Sequence, residues 1–187
     1  LVSYMSKAEG FTIEALCNAV SGLSPVTGRM EIVGDNAGDV TAVVDYAHTP
    51  DGLKSALVAL REHFTGNVWC VFGCGGNRDK GKRPLMGEFA ETYADHIVVC
   101  DDNPRNEDGD EIVNHILSGI ESPSNVTIER DRAKAISFAL SAAKPGDVVL
   151  VAGKGHETYQ EVAGEKVIFS DVNHVRLALQ HRVENRS

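Results

Sequence analysis

Four short stretches hold most of the side chains in this sequence that could do chemistry. They are Asp45-Tyr46-Ala47-His48, the glycine-rich run from Gly73 to Arg83, Asp101-Asp102-Asn103-Pro104-Arg105, and Ala152-Gly153-Lys154-Gly155-His156-Glu157. In the third, Pro104 fixes the backbone and the planar guanidinium of Arg105 suits bidentate capture of a carboxylate. In the fourth, Gly153 permits close approach to the backbone, and Glu157 is a carboxylate that can hold an ammonium group. Arg78, at the tip of the glycine-rich run, can be aimed at the same place. Two arginines, Asn103 and Glu157 together suit a zwitterionic, amino-acid-like ligand; the competing reading of 103–105 is an ordinary turn with a solvated arginine.

Two familiar glycine patterns fail on inspection. Residues 76–83 (GNRDKGKR) follow the phosphate-loop spacing up to its last position, where the magnesium-ligating Ser or Thr is replaced by Arg83. Gly73 and Gly75 open a dinucleotide fingerprint whose third glycine would fall on Arg78. A glycine-permitted turn feeding a helix remains, with Arg78 carried on it. Asp45 and His48 could form an acid/base pair, or His48 could stack on the sheet or on a planar ligand at a helix entry. No nucleophile accompanies them, so no catalytic residue is assigned, and the remaining histidines show no metal-ligand spacing.

These stretches are positioned by alternating elements. Apolar, β-branched runs at 40–45, 67–72, 96–100, 125–129 and 147–151 read as strands covered on both faces. Between them lie helical stripes. One is formed by Leu53, Ala56, Leu57, Leu60 and Phe64, entered at Thr49-Pro50. A second uses Ile112, Val113, Ile116, Leu117 and Ile120, and a third Ala133, Ile136, Leu140 and Ala143. The pattern predicts an α/β, Rossmann-like, mostly parallel sheet with helices on both faces. Residues 160–169 read as a hairpin around Gly164 that adds an antiparallel edge, and 170–182 as a last helix capped by Ser170. In such a sheet ligands bind beyond the carboxyl ends of the strands, so the four stretches should meet on one rim. Residues 1–24 read as a helix with Ile13, Leu16, Cys17 and Val20 on one face, ending at Ser24-Pro25.

Composition narrows the partners. A formal net charge of -9 over 187 residues argues against nucleic acid and anionic membranes, and no stretch approaches the roughly 18 apolar residues of a membrane span. The four cysteines read as buried free thiols in a reducing cytoplasm.

With these motifs in order along the chain, the sequence resembles the Mur ligases of peptidoglycan synthesis. The resemblance runs through GRMEIV (28–33), DYAHTPD (45–51), GCGGNRDKGKRPLM (73–86), DNPR (102–105) and AGKGHETYQ (152–160). It implies a three-domain ATP-dependent amide-forming ligase, of which residues 1–27 would be a helical remnant of the central ATPase domain plus linker and 28–187 the C-terminal domain. ATP and Mg2+ would serve the full-length enzyme, whose phosphate loop, magnesium ligands and modified lysine belong to the central domain. This chain alone would be inactive, with neither held tightly. In family chemistry the glutamyl carboxylate becomes an acyl phosphate, which the incoming amine attacks. DNPR resembles the signature of members that take meso-diaminopimelate, and by the resemblance Arg78, Asp102, Asn103, Pro104, Arg105, Gly153 and Glu157 line that amino-acid site. Arg29, Asp45 and His48 resemble nucleotide contacts. The UDP-MurNAc-dipeptide would be held by the other domains, and a cytoplasmic monomer is expected. A lysine-adding relative and a dinucleotide-binding oxidoreductase domain are the alternatives, as is a non-catalytic module of the same fold.

Overall fold

The computed structural model describes residues 26–34 and 39–184. The helix expected over 1–24 lies outside them.

Six strands form one sheet: β1 (Glu31–Val33), β2 (Thr41–Asp45), β3 (Val68–Phe72), β4 (His96–Val99), β5 (Val126–Ile128) and β6 (Val148–Ala152), in the order β1-β2-β6-β3-β4-β5. All neighbouring pairs are parallel except β1 with β2. The apolar runs are continuous because alternate side chains enter two different cores. From β6, Val148, Leu150 and Ala152 face one layer, while Val149 and Val151 face the other.

The first layer is helices α1 (Pro50–His63), α2 (Lys82–Tyr93) and α3 (Gly109–Leu117), which bury Leu53, Leu57, Met86, Ile112 and Ile116. The second is α4 (Arg132–Ala142) and α5 (Asp171–Glu184), which bury Ile136, Leu140 and Val175. The expected stops and starts hold locally. Thr49 caps α1 by accepting from the Gly52 amide at 3.2 Å, with Pro50 at the first helical position. The Ser170 hydroxyl accepts from Asn173 N at 3.4 Å at the start of α5. Asp108 and Asp131 cap α3 and α4 in the same way.

One expectation needs correction. Strands β7 (Tyr159–Val162) and β8 (Glu165–Ile168) form the hairpin, turning at Ala163-Gly164 with both residues at positive φ, but they make a separate two-stranded sheet. The hairpin does not extend the main sheet because its backbone is used elsewhere: Arg105 N donates to Glu161 O and Ala163 N to Arg105 O, at 3.0 and 2.7 Å. The antiparallel edge comes instead from β1, which the sequence reading carried only as part of a motif.

Since β2, β6, β3 and β4 run parallel and side by side, their carboxyl ends bring the 45–48, 152–157, 73–83 and 100–105 segments to one rim.

Candidate functional site

At the β4–β6 end of the rim a fully buried ammonium organises the polar groups. Lys154 has no exposed surface, and its Nζ donates to Asn103 Oδ1 at 2.8 Å and to the Tyr159 carbonyl at 2.9 Å. It also lies 3.4 Å from Glu157 Oε2 and 3.3 Å from Asp102 Oδ1; the latter is an ion pair without hydrogen-bond alignment. Asn103 Nδ2 donates to Glu157 Oε2 at 3.0 Å, while Glu161 N donates to Asn103 Oδ1 at 2.9 Å. Gln160 Nε2 donates to the Asp101 and Asp102 carbonyls. The hairpin is thus strapped across the 101–105 loop.

Arg105 adopts φ +52, an uncommon backbone for a side chain of its size. Its guanidinium donates from Nη1 to the Gly76 carbonyl at 2.8 Å and pairs through Nε with Glu161 at 3.3 Å. The side chain stays one-fifth exposed (19%), so it reaches the rim. The glycine-rich loop lies directly against it: a Cβ on Gly76 would sit 1.9 Å from the Pro104 carbonyl, which only glycine avoids.

Within that loop, the position where a phosphate loop would carry its hydroxyl faces the interior. Arg83 points inward with no exposed surface, donating to the Gly75 carbonyl at 3.1 Å and to Glu107 at 3.0 Å, with Nη1 3.0 Å from His115 Nδ1. Glu107 also accepts from Asn77 N and sits 3.5 Å from Lys80 Nζ. Burial opposes its charge, but the Asn77 amide and the two cations outweigh that and hold the carboxyl below the ordinary glutamate range. Arg78 itself stands exposed at the tip, Nη1 donating to its neighbour's carbonyl.

The β2 end of the rim is a shelf of rings. The Arg29 guanidinium lies 4.6 Å from the Tyr46 ring centre. The His48 and His156 rings flank Tyr46 at 4.6 and 5.2 Å. Lys82 Nζ donates to the His48 carbonyl at 2.6 Å. Asp45 is buried behind them, its carboxylate accepting from Met30 N at 2.7 Å and Ala47 N at 2.8 Å, so it fastens the 28–30 turn to the strand end. Gly28 and Gly155 meet backbone to backbone; a Cβ on Gly28 would lie 2.2 Å from His156 N.

Beneath the rim, Arg132 and Asp171 form a bidentate ion pair at 2.8 and 2.7 Å with no exposed surface on either side chain. Arg132 also donates to the Ala152 carbonyl at 3.0 Å and to Cys100 Sγ at 3.4 Å, joining α4 and α5 to the ends of β6 and β4. Cys70, Cys74 and Cys100 are buried free thiols, as expected; burial pushes Cys74 up to about 12 and Cys100 up to about 11. Cys17 lies outside the described residues.

The structure therefore brings Asp102, Asn103, Pro104, Arg105, Gly153 and Glu157 together, with Gly153 N donating to Asp45 O at 3.0 Å. Arg78 is on the same loop system but at its exposed edge. Arg29 and His48 meet around Tyr46, whereas Asp45 is engaged by backbone amides. Sequence reading gave no role to Lys154, Arg83, Glu107, Glu161, Tyr46 or His156. Lys154 did carry a signal, being a cation between two glycines directly after a buried strand.

The family described as Mur ligase, glutamate ligase domain, matches residues 28–155. A curated relative from Acidovorax sp. (strain JS42), UDP-N-acetylmuramoyl-L-alanyl-D-glutamate--2,6-diaminopimelate ligase, is 51% identical over 179 residues, covering 94% of this chain and 36% of that protein. A solved structure of a ligase of the same name superposes with a TM-score of 0.79 at 41% identity, covering 96% of this chain and 37% of that one. The MurF ligase from Thermotoga maritima, solved in complex with ADP, shares the fold at a TM-score of 0.62 and 19% identity, over 98% of this chain and 37% of its own. The chain spans about a third of the length of the curated relatives it matches. By the family match and by this half-identical relative, the chain belongs to the Mur ligase family.

Proposed function

We propose that this chain is the amino-acid-binding domain of an ATP-dependent ligase that joins meso-diaminopimelate to the glutamyl carboxyl of UDP-MurNAc-L-Ala-D-Glu. Residues 28–187 are that C-terminal domain, and residues 1–27 belong to the end of the central domain and its linker. The carrying observation is the placement of Arg105, Asn103 and Glu157 within one hydrogen-bonded network at the rim.

The far end of diaminopimelate carries both an ammonium and a carboxylate. Glu157 holds the ammonium, Arg105 and Arg78 take the carboxylate, and Asn103 and Asp102 fix the geometry between them. Lysine offers only the ammonium, so on binding it Arg105 would keep Glu161 and the Gly76 carbonyl but lose the ligand carboxylate. Losing one partner of a hydrogen-bonded charge in a closed site costs about 2–5 kcal/mol, enough to select one amino acid.

ATP, when bound to the full-length enzyme, supplies the phosphoryl group that activates the glutamyl carboxyl. This domain's share of that work is the Arg29–Tyr46–His48–His156 shelf, whose cation and ring faces suit a nucleotide brought by the central domain. Among the described residues no group of three His, Cys, Asp or Glu side chains could hold a metal ion. Among them, too, no helix is long and apolar enough to cross a membrane.

The test is the Arg105→Ala variant of the full-length ligase. The ratio of kcat/KM for diaminopimelate over L-lysine should fall by at least about 30-fold. An unchanged ratio would remove Arg105 from specificity and the reading with it.

A further inference from the structure

We infer that Lys154 is a positioning residue of the amino-acid site, setting the direction of Asn103 and Glu157 without itself touching the ligand. The inference rests on the reading of that site given above.

Its ammonium is fully buried, a placement that is costly for a cation unless oxygens surround it. Here they do: Asn103 Oδ1, the Tyr159 carbonyl, Glu157 Oε2 and Asp102 Oδ1 all lie within 3.4 Å. The consequence for Asn103 is directional. Its Oδ1 accepts from both Lys154 Nζ and Glu161 N. A flipped amide would turn its NH2 towards an ammonium and an N–H, so the flip is excluded. Nδ2 is then obliged to face Glu157 Oε2, where it sits at 3.0 Å. Glu157 is held through that one oxygen by Asn103 and Lys154 together, and its side chain remains 22% exposed, so the carboxylate still reaches the rim.

Charge follows the same arrangement. One cation set between Asp102 and Glu157 leaves a single negative charge, which matches a single ligand ammonium. Without Lys154 two carboxylates would share the site with no cation between them, Asp102 keeping only the field of the nearby Arg132. The bond to the Tyr159 carbonyl also anchors the first residue of β7, the strand that carries Glu161 to Arg105. One buried side chain thus ties the ammonium-reading end of the site to the carboxylate-reading end.

The experiment uses the full-length ligase with Lys154→Met, Glu157→Gln, the double variant and Arg105→Ala. Lys154→Met should raise KM for diaminopimelate by at least about tenfold, with KM for ATP and kcat at saturating diaminopimelate within about twofold of the parent. In the Glu157→Gln background the same change should cost no more than about threefold, because the charged group that Lys154 aims at the ligand ammonium is already gone and only the indirect routes through Asn103 and β7 remain. The double variant also removes one of the two carboxylates that Lys154 separates, leaving Asp102 alone, so it provides the comparison if Lys154→Met alone does not fold. An unchanged KM, a parallel loss in the ATP and diaminopimelate constants, or full additivity in the double variant would each overturn the inference. If Arg105→Ala abolishes selectivity while Lys154→Met changes nothing, only the role of Lys154 falls. If Arg105→Ala leaves selectivity intact, the reading of the site falls first.

Discussion

Around Asn103 the polar groups are buried and bonded to one another, whereas around Tyr46 they face solvent and meet through a guanidinium over a ring and through edge-on and tilted ring contacts. Both ends belong to one rim, and both are fed by the 153–157 segment, which sends Lys154 and Glu157 to one side and His156 to the other. The Asn103 end has its orientation fixed when the chain folds, so its ordering cost is met before any ligand arrives. The Tyr46 end has a fastened backbone, through Asp45 and the Gly28–Gly155 contact, but its side chains are more exposed and meet by ring contacts and one hydrogen bond from His48 to the Tyr46 carbonyl, without a buried network. A specificity site gains from rigidity; a surface that completes itself against a second domain does not require it. Substitutions at the first end should therefore cost stability as well as binding, and substitutions at the second should cost binding alone.

The strongest break in that contrast should come from the floor beneath the rim. Arg132→Met leaves the Asp171 carboxylate buried without a partner, and urea denaturation should show a loss of about 3–5 kcal/mol. Arg132→Met combined with Asp171→Leu should recover most of it, because no isolated charge remains. A loss below about 1 kcal/mol for the single variant would mean that water or backbone donors replace the pair, and that the rim is not held from below.

A smaller effect is expected at Glu107, which holds the loop carrying Arg78 through Asn77, Arg83 and Lys80. Glu107→Gln should lower the thermal midpoint by about 2–4 °C at neutral pH. The sign of the pH dependence follows from its lowered carboxyl. The contribution is complete above the unfolded glutamate value of about 4.3 and disappears as pH falls through the lower folded value. The gap between parent and variant should therefore close only in acid. A gap that persists undiminished in strong acid, where the carboxyl is protonated in both states, would assign the effect to lost packing and not to charge.

Much of this organisation was legible in the chain. Strands buried on both faces write themselves as apolar runs, and parallel order then places the unusual residues at one edge. The edge strand β1 was not legible, since only Val33 of its three residues is buried and no periodicity can show in so short a piece. Helix α2 was visible only as a turn feeding a helix, because Pro84 and Gly87 interrupt a stripe that buries just Met86 and Ala90 among its apolar side chains. Lys154 and Arg83 were hidden for another reason. Their residue types belong on surfaces, and only oxygens brought from distant segments reverse that preference.

The finest probe of the contrast is Tyr46, which carries the ring shelf while remaining half-buried. Tyr46→Ala removes one exposed cation–π contact and two ring contacts. At an exposed site these amount to about 0.5–1.5 kcal/mol each before solvent compensation. Little of that should appear as stability, because Asp45 and the glycine contact hold the backbone without the ring. In the full-length ligase, KM for ATP should rise about three- to tenfold, Tyr46→Phe should stay near the parent, and selectivity for diaminopimelate over lysine should not move. Equal losses for ATP and diaminopimelate would show that the 153–157 segment transmits a disturbance from the shelf to Glu157. The two ends would then be one mechanical unit, and the buried network around Asn103 would be rigid only as long as the shelf beside it is intact.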